Sequence, residues 1–258
     1  MPLLVSVRSG EEVAAALEGG AGIIDAKEPA RGSLGAVDPD VLAAIAGRTP
    51  ATVPLSVALG DCVGVEQARA AVSSAPLPER SAPVYLKLGF AGLPPAQRIT
   101  ALLEVARRSV AGRTARVVAV AYADHGAAHA PAPEDVLRAA VTAGASGLLV
   151  DTWRKDGRGL LDHVPLERLA GLSARARAAG MVFAVAGSLD ITAIARLAAI
   201  ADVIGVRGAA CRGGRSGTVD AGLVRGLRRC LEHARAGGAP EVARLNPGAR
   251  VRLAEREA

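Results

Sequence analysis

The chain has 258 residues, half of them hydrophobic, which suits one domain of about the size of a single barrel. The formal net charge is +6, but the arginines are scattered along helical stretches and aromatic residues make up only 2%, which argues against nucleic-acid binding. Three cysteines without metal-ligand spacing, and no long apolar stretch or export signal, predict a cytoplasmic protein with no membrane association.

Eight short apolar runs recur at roughly even spacing, and helical patterns lie between them. The runs begin at Leu3, Gly22, Val53, Val84, Arg116, Gly147, Val182 and Asp202. The predicted helices include Glu11–Glu18, Pro39–Ala46, Ala96–Val110, Pro133–Ala143, Leu166–Ala179 and Ile191–Ala199. Eight β/α units predict an α/β protein that is a single (β/α)8 barrel, although a doubly wound open sheet would use the same alternation.

The alternating pattern ends after Leu231. The remaining residues combine glycine, proline and charges of both signs, which is typical of a segment without a packed core. We therefore predict a catalytic barrel domain over residues 1–232 and a flexible or loosely docked tail over residues 233–258, with no catalytic part for the tail.

Lysine is scarce in this chain. Lys27, Lys87 and Lys155 are its three lysines, and the other 28 of its 31 basic residues are arginines. Each lysine falls on or just after a predicted strand, where a barrel gathers its catalytic residues. Arginine cannot replace an amine that attacks a carbonyl, because the guanidinium stays protonated. The pattern favours an imine-forming lysine, whose pKa a neighbouring lysine would lower, with ion pairing under the loops as the alternative.

Aspartates lie close in sequence to two of these lysines. Asp25 stands two residues before Lys27, on the same face of the strand, and Asp151 precedes the third lysine. Such carboxylates could orient ammonium groups and transfer protons, or they could simply form buried salt bridges. Asp61 and Asp124 also end strands, but each could equally cap the following helix, so neither is assigned a catalytic role.

The two loops AGSLD and VRGAAC follow the seventh and eighth strands, where barrels commonly bind phosphate. Their small residues would let backbone N–H groups approach an anion. We predict Gly187, Ser188 and Gly208 as phosphate ligands, with Arg207 as either a further ligand or a structural residue. The four histidines show neither HxH nor HExxH spacing, so no metal site is predicted.

Six segments together resemble one enzyme family, and they lie within residues 3 to 230. They read DAKEPARGSLGA, LKLG, YAD, DTWRKDG, AGSL and GVRGAAC. The family is that of the (5-formylfuran-3-yl)methyl phosphate synthases, also called 4-(hydroxymethyl)-2-furancarboxaldehyde-phosphate synthases, of methanofuran biosynthesis. The resemblance implies a (β/α)8 barrel that joins two molecules of glyceraldehyde 3-phosphate into a furan aldehyde, with loss of water and one phosphate.

The resemblance also implies roles for individual residues. Lys27, in the DAK segment, would form the Schiff base, and Lys87, in LKLG, would accept a proton. Asp25, Asp151 and Lys155 occupy the other matched polar positions. The substrate would be a small phosphorylated aldehyde, and no cofactor is implied because the imine itself withdraws electrons.

The chain departs from the family pattern in three places. Ala121 stands before YAD where glycine is expected, the helical region over residues 65–83 is altered, and the tail differs. None of these removes a lysine. Two other functions stay open from the residues alone: another lysine-dependent class I aldolase acting on triose phosphates, and a non-catalytic barrel that binds phosphorylated metabolites. The sequence also leaves open the downstream pathway and whether the chain forms a homo-oligomer.

Overall fold

The eight apolar runs form eight parallel strands that pair in chain order and close into a barrel. The computed structural model describes residues 1–76, 79–93 and 97–236. The barrel strands β1 to β8 are Leu3–Val7, Ile23–Ala26, Leu55–Asp61, Val84–Gly89, Ala115–Tyr122, Gly147–Asp151, Val182–Val185 and Val203–Val206. A short antiparallel hairpin, Cys211–Arg212 (β9) and Thr218–Val219 (β10), follows the last of them. The predicted (β/α)8 barrel is confirmed, and the open-sheet alternative is excluded because β1 pairs with β8.

Helices connect the strands and surround the barrel. In chain order, α1 to α9 are Glu11–Glu18, Pro39–Arg48, Val65–Ser73, Gln97–Ser109, Pro133–Ala143, Leu160–His163, Leu166–Ala178, Ile191–Leu197 and Ala221–Arg235. The predicted bounds of α1 and α5 match, and those of α2, α7 and α8 differ by one or two residues at the C-terminal end. The predicted start of α4 at Ala96 lies outside the described residues.

The last helix, α9, continues to Arg235, three residues past the predicted end of the barrel domain. The carboxylate of Asp220 accepts a hydrogen bond from the N–H of Leu223 at its first turn, and Val224, Leu227 and Leu231 are buried along one face. The helix therefore completes the outer ring. Residues 237–258, which make up most of the predicted tail, lie outside the described residues.

Side chains on the barrel strands alternate between two apolar clusters. On β5, Val117, Ala119 and Ala121 join the large cluster between the strands and the helices, whereas Val118 and Val120 join a smaller cluster inside the barrel. The branched side chains of Val118 and Val120 therefore pack inside the barrel, as in other barrels. No helix in the described ranges is long and apolar enough to cross a membrane.

Candidate active site

The five residues predicted for catalysis are brought together at the carboxyl ends of the barrel strands. Asp25 lies on β2, Lys27 directly follows it, Lys87 lies on β4, and Asp151 ends β6 with Lys155 in the loop beyond. Asp25 and Asp151 are 0% and 1% exposed, and Lys87 and Lys27 are 4% and 6% exposed. Burying this many charged groups is costly unless they neutralise one another, so their pairing determines what each can do.

Lys87 and Asp25 form a buried ion pair across the barrel interior. Lys87 Nζ lies 2.6 Å from Asp25 Oδ1, and Ser6 Oγ donates a hydrogen bond of 2.7 Å to the other carboxylate oxygen. Burial raises the pKa of Asp25, but the ammonium groups of Lys87 and Lys27 and these hydrogen bonds outweigh burial, so the pKa lies below its usual value. Asp25 is therefore held as a carboxylate.

A second pair forms between Asp151 and Lys155 on the opposite side. Lys155 Nζ lies 2.9 Å from Asp151 Oδ1 and also donates to the carbonyl oxygen and hydroxyl of Thr152, at 2.7 and 2.9 Å. Burial raises the pKa of Asp151, but the ammonium groups of Lys155 and Lys27 outweigh burial and lower it. The aspartates thus form the buried salt bridges that the sequence offered as an alternative, and both ion pairs also act on Lys27 through their charges.

Lys27 is the lysine left without a carboxylate of its own. Within the described residues, no carboxylate oxygen lies at ion-pair distance from its Nζ, whereas the other two lysines each have one. Burial lowers the pKa of Lys27, the carboxylates of Asp151 and Asp25 oppose this shift, and the positive charges of Lys87 and Lys155 add to it, so that the pKa is about 8. An amine with this pKa is partly neutral near pH 7, as imine formation requires.

The segment between β2 and α2, residues 28–36, covers the mouth of the barrel above these lysines. Its Leu34 is buried in the interior cluster beside Tyr122 and Ala58, and Ser33 Oγ donates to the carbonyl of Thr152 at 2.5 Å. A cleft of about 480 Å³ lies on the outer side of the segment, against Trp153 in the loop after β6. We call residues 28–36 the cover segment.

Asp61 and Asp124 hold loops together instead of capping helices. Asp61 Oδ1 accepts hydrogen bonds from the Tyr122 hydroxyl at 2.7 Å and from the N–H of Ala91 at 2.9 Å. Asp124 accepts from the N–H groups of Trp153 and Arg154, at 2.6 and 2.8 Å. Neither carboxylate forms an ion pair with Lys87 or Lys155, whose partners are Asp25 and Asp151.

The loop after β7 has an unusual backbone. Gly187 and Ser188 follow one another with φ values of +113° and +49°, and a side chain at residue 187 would come within 3.0 Å of Thr152. A positive φ in a non-glycine residue is uncommon and concentrates at functional sites. The Gly187 carbonyl accepts from Leu160 N–H, and no hydrogen bond among the described residues engages the N–H of Gly187 or Ser188. These donors are available to an anion.

Arg207 occupies a different environment from these loop donors. Its guanidinium lies at 2.5 and 3.1 Å from the carboxylate oxygens of Glu12 and donates to the carbonyls of Ser6, Arg215 and Gly217. These contacts use all five of its N–H donors. Through these contacts Arg207 anchors the loop after β8, in which Gly208 begins a single 3-10 turn.

Sequence reasoning missed the partners that hold these groups. Ser6 was not singled out, although strand alternation in LLVSV places it opposite Asp25 in the register of β1 and β2. Glu12 lies within the predicted helix Glu11–Glu18, and its side chain is buried, with 4% exposure. The signal for both was polarity at a position that periodicity places inside, since buried polar residues require partners.

The comparisons with known proteins decide the family. The model of the 4-HFC-P synthase family matches residues 3–228 of the chain. The chain belongs to this family. The (5-formylfuran-3-yl)methyl phosphate synthase of Methanothermobacter thermautotrophicus is 36% identical over 242 residues, which cover 90% of this chain and 99% of that protein. The enzyme of the same name from Methanococcus maripaludis strain S2 is 37% identical over 236 residues, covering 87% and 97%. The suspected resemblance to the 4-HFC-P synthases is confirmed.

Solved structures similar to this 4-HFC-P synthase family member are also barrels. The phosphoribosyl anthranilate isomerase of Thermus thermophilus aligns with a TM-score of 0.59 at 15% identity, covering 90% of this chain and 98% of that one. KGPDC from Streptococcus mutans aligns with a TM-score of 0.58 at 13% identity, with the same coverage. At these identities the likeness shows the fold alone.

Proposed function

We propose that this protein is a (5-formylfuran-3-yl)methyl phosphate synthase that condenses two molecules of glyceraldehyde 3-phosphate through a Schiff base on Lys27. The observation that carries the mechanism is the state of this one lysine. It is buried, it has no ion-pair partner among the described residues, and its pKa is lowered to about 8. The other two lysines are each committed to an aspartate. Family membership supports the choice of product.

The first step forms the imine. The neutral amine of Lys27 attacks the aldehyde carbon of the first triose phosphate, and loss of water gives a protonated imine. The positive charge then lies on the imine nitrogen, near the carboxylates of Asp25 and Asp151. The same carboxylates raise the pKa of Lys27 against the effect of burial. The imine is an electron sink, so the mechanism that we propose requires no metal or organic cofactor.

The second step removes a proton from the carbon next to the imine. We assign this proton to the pair of Lys87 and Asp25, whose Nζ and Oδ1 atoms are 2.6 Å apart and can share it. The resulting enamine attacks the aldehyde carbon of the second triose phosphate and forms the new carbon–carbon bond. Elimination of phosphate, ring closure and loss of water then form the furan ring, with proton transfers by Asp151 and Lys155. Hydrolysis of the imine releases the furan aldehyde and regenerates the amine of Lys27.

The backbone donors of the loops after β7 and β8 are proposed to bind substrate phosphate. The N–H groups of Gly187 and Ser188 follow the strand that borders β6, and Gly208 lies on the next loop. Such donors near barrel strands 7 and 8 suit a phosphate monoester. Arg207 supports the second loop through Glu12 and is not assigned direct contact with the phosphate.

The test incubates the purified full-length protein with glyceraldehyde 3-phosphate, with and without borohydride. We expect furan absorbance without borohydride, and a covalent adduct that peptide mapping places on Lys27 with it. An adduct without furan would instead identify a simple class I aldolase. Neither adduct nor furan would exclude the mechanism and favour a barrel that only binds phosphorylated metabolites.

The pKa of Lys27 predicts the pH dependence of imine formation. With a pKa of about 8, the neutral fraction is about one tenth at pH 7 and rises to a plateau above pH 9. The initial rate of adduct trapping should therefore rise roughly tenfold per pH unit at low pH and level off through pH 8. Borohydride trapping in a series of buffers measures it. A rate that continues to climb to pH 10 would contradict the lowered pKa.

A further inference from the structure

Arg215 extends from the hairpin after β8 to the cover segment. It lies in the turn between β9 and β10, in a 3-10 helix over Gly214–Ser216. Its Nη2 donates hydrogen bonds to the carbonyl oxygens of Pro29 and Gly32, at 2.9 and 2.7 Å. One side chain therefore connects the loop after the last barrel strand with the segment that covers Lys27.

The backbone of Arg215 is fixed by buried groups. Arg207 Nε donates to the Arg215 carbonyl at 3.1 Å, and the guanidinium of Arg207 is in turn held by the buried carboxylate of Glu12. The hairpin also lies against the loop after β8, because a Cβ atom on Gly208 would be 3.6 Å from Arg215 N. Arg215 is thus placed beside a predicted phosphate-binding backbone.

The charge of Arg215 is not neutralised by direct contact. Its hydrogen-bond partners are two neutral carbonyls, and Nε and Nη1 meet no acceptor among the described residues. Burial lowers the pKa of Arg215, and the carboxylate of Asp151 is the strongest charge opposing that shift, so the guanidinium lies within the electrostatic field of the catalytic centre. A half-buried guanidinium attracts a phosphate, and the unused N–H groups on Nη1 and Nε can donate a charge-assisted hydrogen bond to a phosphate oxygen while Nη2 keeps its two carbonyl partners.

We propose that Arg215 binds the phosphate group of the substrate next to Gly208 and couples that phosphate to the cover segment through its bonds to Pro29 and Gly32. The identity of the phosphate as that of an aldehyde substrate rests on the proposed function. Arg215 is thus a substrate-binding residue that sequence reasoning passed over in favour of Arg207, which holds the Arg215 backbone in place.

The coupling determines substrate preference. Leu34 and Ser33 of the cover segment reach the barrel interior and the carbonyl of Thr152, so the position of this segment sets the space above Lys27. A phosphate on Arg215 orders the cover segment through Nη2. The binding energy of the phosphate, which is remote from the reacting carbon, thereby contributes to the reaction at that carbon. An aldehyde without phosphate does not gain this effect.

The test compares adduct trapping with glyceraldehyde 3-phosphate and with glyceraldehyde, in wild type and in Arg215→Met. We expect the rate with the phosphorylated aldehyde to fall about 10- to 100-fold, the scale of a lost hydrogen bond to a charged group. The rate with glyceraldehyde should fall much less, because this aldehyde has no phosphate for Arg215 to bind and is affected only by the lost bonds to Pro29 and Gly32. The matched control is Arg212→Met on the same hairpin, because the Arg212 side chain is 80% exposed and pairs with Asp220. This control should behave as wild type.

Inorganic phosphate provides a second measurement that does not depend on the reaction. It should raise the melting temperature of wild type and of Arg212→Met, and raise that of Arg215→Met much less, because only the backbone donors of the loops remain in that variant. The proposal would be overturned by equal losses of trapping rate with both aldehydes. It would also be overturned if phosphate raised the melting temperature of Arg215→Met as much as that of wild type. If wild type forms no adduct, the proposed function fails. The change of melting temperature caused by phosphate then shows by itself whether Arg215 binds phosphate. Should Arg215→Met not fold, Arg215→Lys retains the charge, and its phosphate shift should be weakened but present.

Discussion

Replacing Lys27 with arginine is expected to lower furan formation by at least about 10⁴-fold, the scale on which losing a covalent nucleophile acts in other enzymes. Arginine retains the positive charge between Asp25 and Asp151, so the electrostatic environment changes little. The guanidinium stays protonated at any working pH and forms no imine. Borohydride trapping followed by intact-mass analysis should accordingly detect no adduct.

Lys155→Arg is the matched comparison for this substitution. Lys155 also faces Asp151, but it is fully engaged by that carboxylate and by Thr152. An arginine at this position can retain the ion pair, so the protein should still form an adduct at Lys27, with slower turnover. An adduct on Lys27→Arg that maps to Lys155 or Lys87 would show that the imine forms on a different lysine. Melting temperatures close to wild type would establish that both variants fold.

The location of the lysines could be predicted from sequence, but their pairing could not. Strand ends converge in a barrel, so lysines at the ends of three strands had to approach one another. The sequence also places Asp25 and Lys27 on one face of β2. Side chains two residues apart on a strand start about 6.5 Å from each other, a distance that a lysine side chain can span. The spacing therefore does not reveal that Asp25 pairs with Lys87 on β4, since that pairing depends on barrel geometry.

The two arginines after β8 show a second limit of sequence reasoning. Arg207 and Arg215 are both near a glycine-rich loop, and local pattern does not distinguish a ligand from an anchor. Their contacts differ in the folded protein: Glu12 on α1 and three backbone oxygens surround Arg207, whereas the charge of Arg215 meets no carboxylate directly within the described ranges. Glu12 and Arg207 are 195 residues apart in sequence, so only the closed fold brings them together.

The electrostatics of the site can be tested through Lys87→Met, which removes the ammonium group 2.6 Å from Asp25 Oδ1. Asp25 is then a buried carboxylate whose nearest remaining cation is Lys27. Two changes raise the pKa of Lys27 in this variant. The repulsion from Lys87, which lowers that pKa, is lost, and Asp25, which raises it, no longer has Lys87 as a partner. The trapping profile should therefore shift to higher pH, by about one unit or more.

Furan formation should fall more than imine formation, because this variant also breaks the pair of Lys87 and Asp25 to which the proton transfer is assigned. We expect a loss of about 10²- to 10⁴-fold in turnover, the usual contribution of a general base, and a free energy of unfolding lower by about 3–5 kcal/mol for the broken buried pair. Chemical denaturation measures the second quantity.

Asp25→Asn separates these effects, because it removes the other member of the same pair. Lys87 then repels Lys27 without a carboxylate between them, and the attraction that raised the pKa of Lys27 is gone. The trapping profile of this variant should shift to lower pH, opposite to Lys87→Met, although both lose a buried charge and both are destabilised. Shifts in the same direction in the two variants would mean that disruption of the site, and not the charges of the pair, sets the pKa of Lys27.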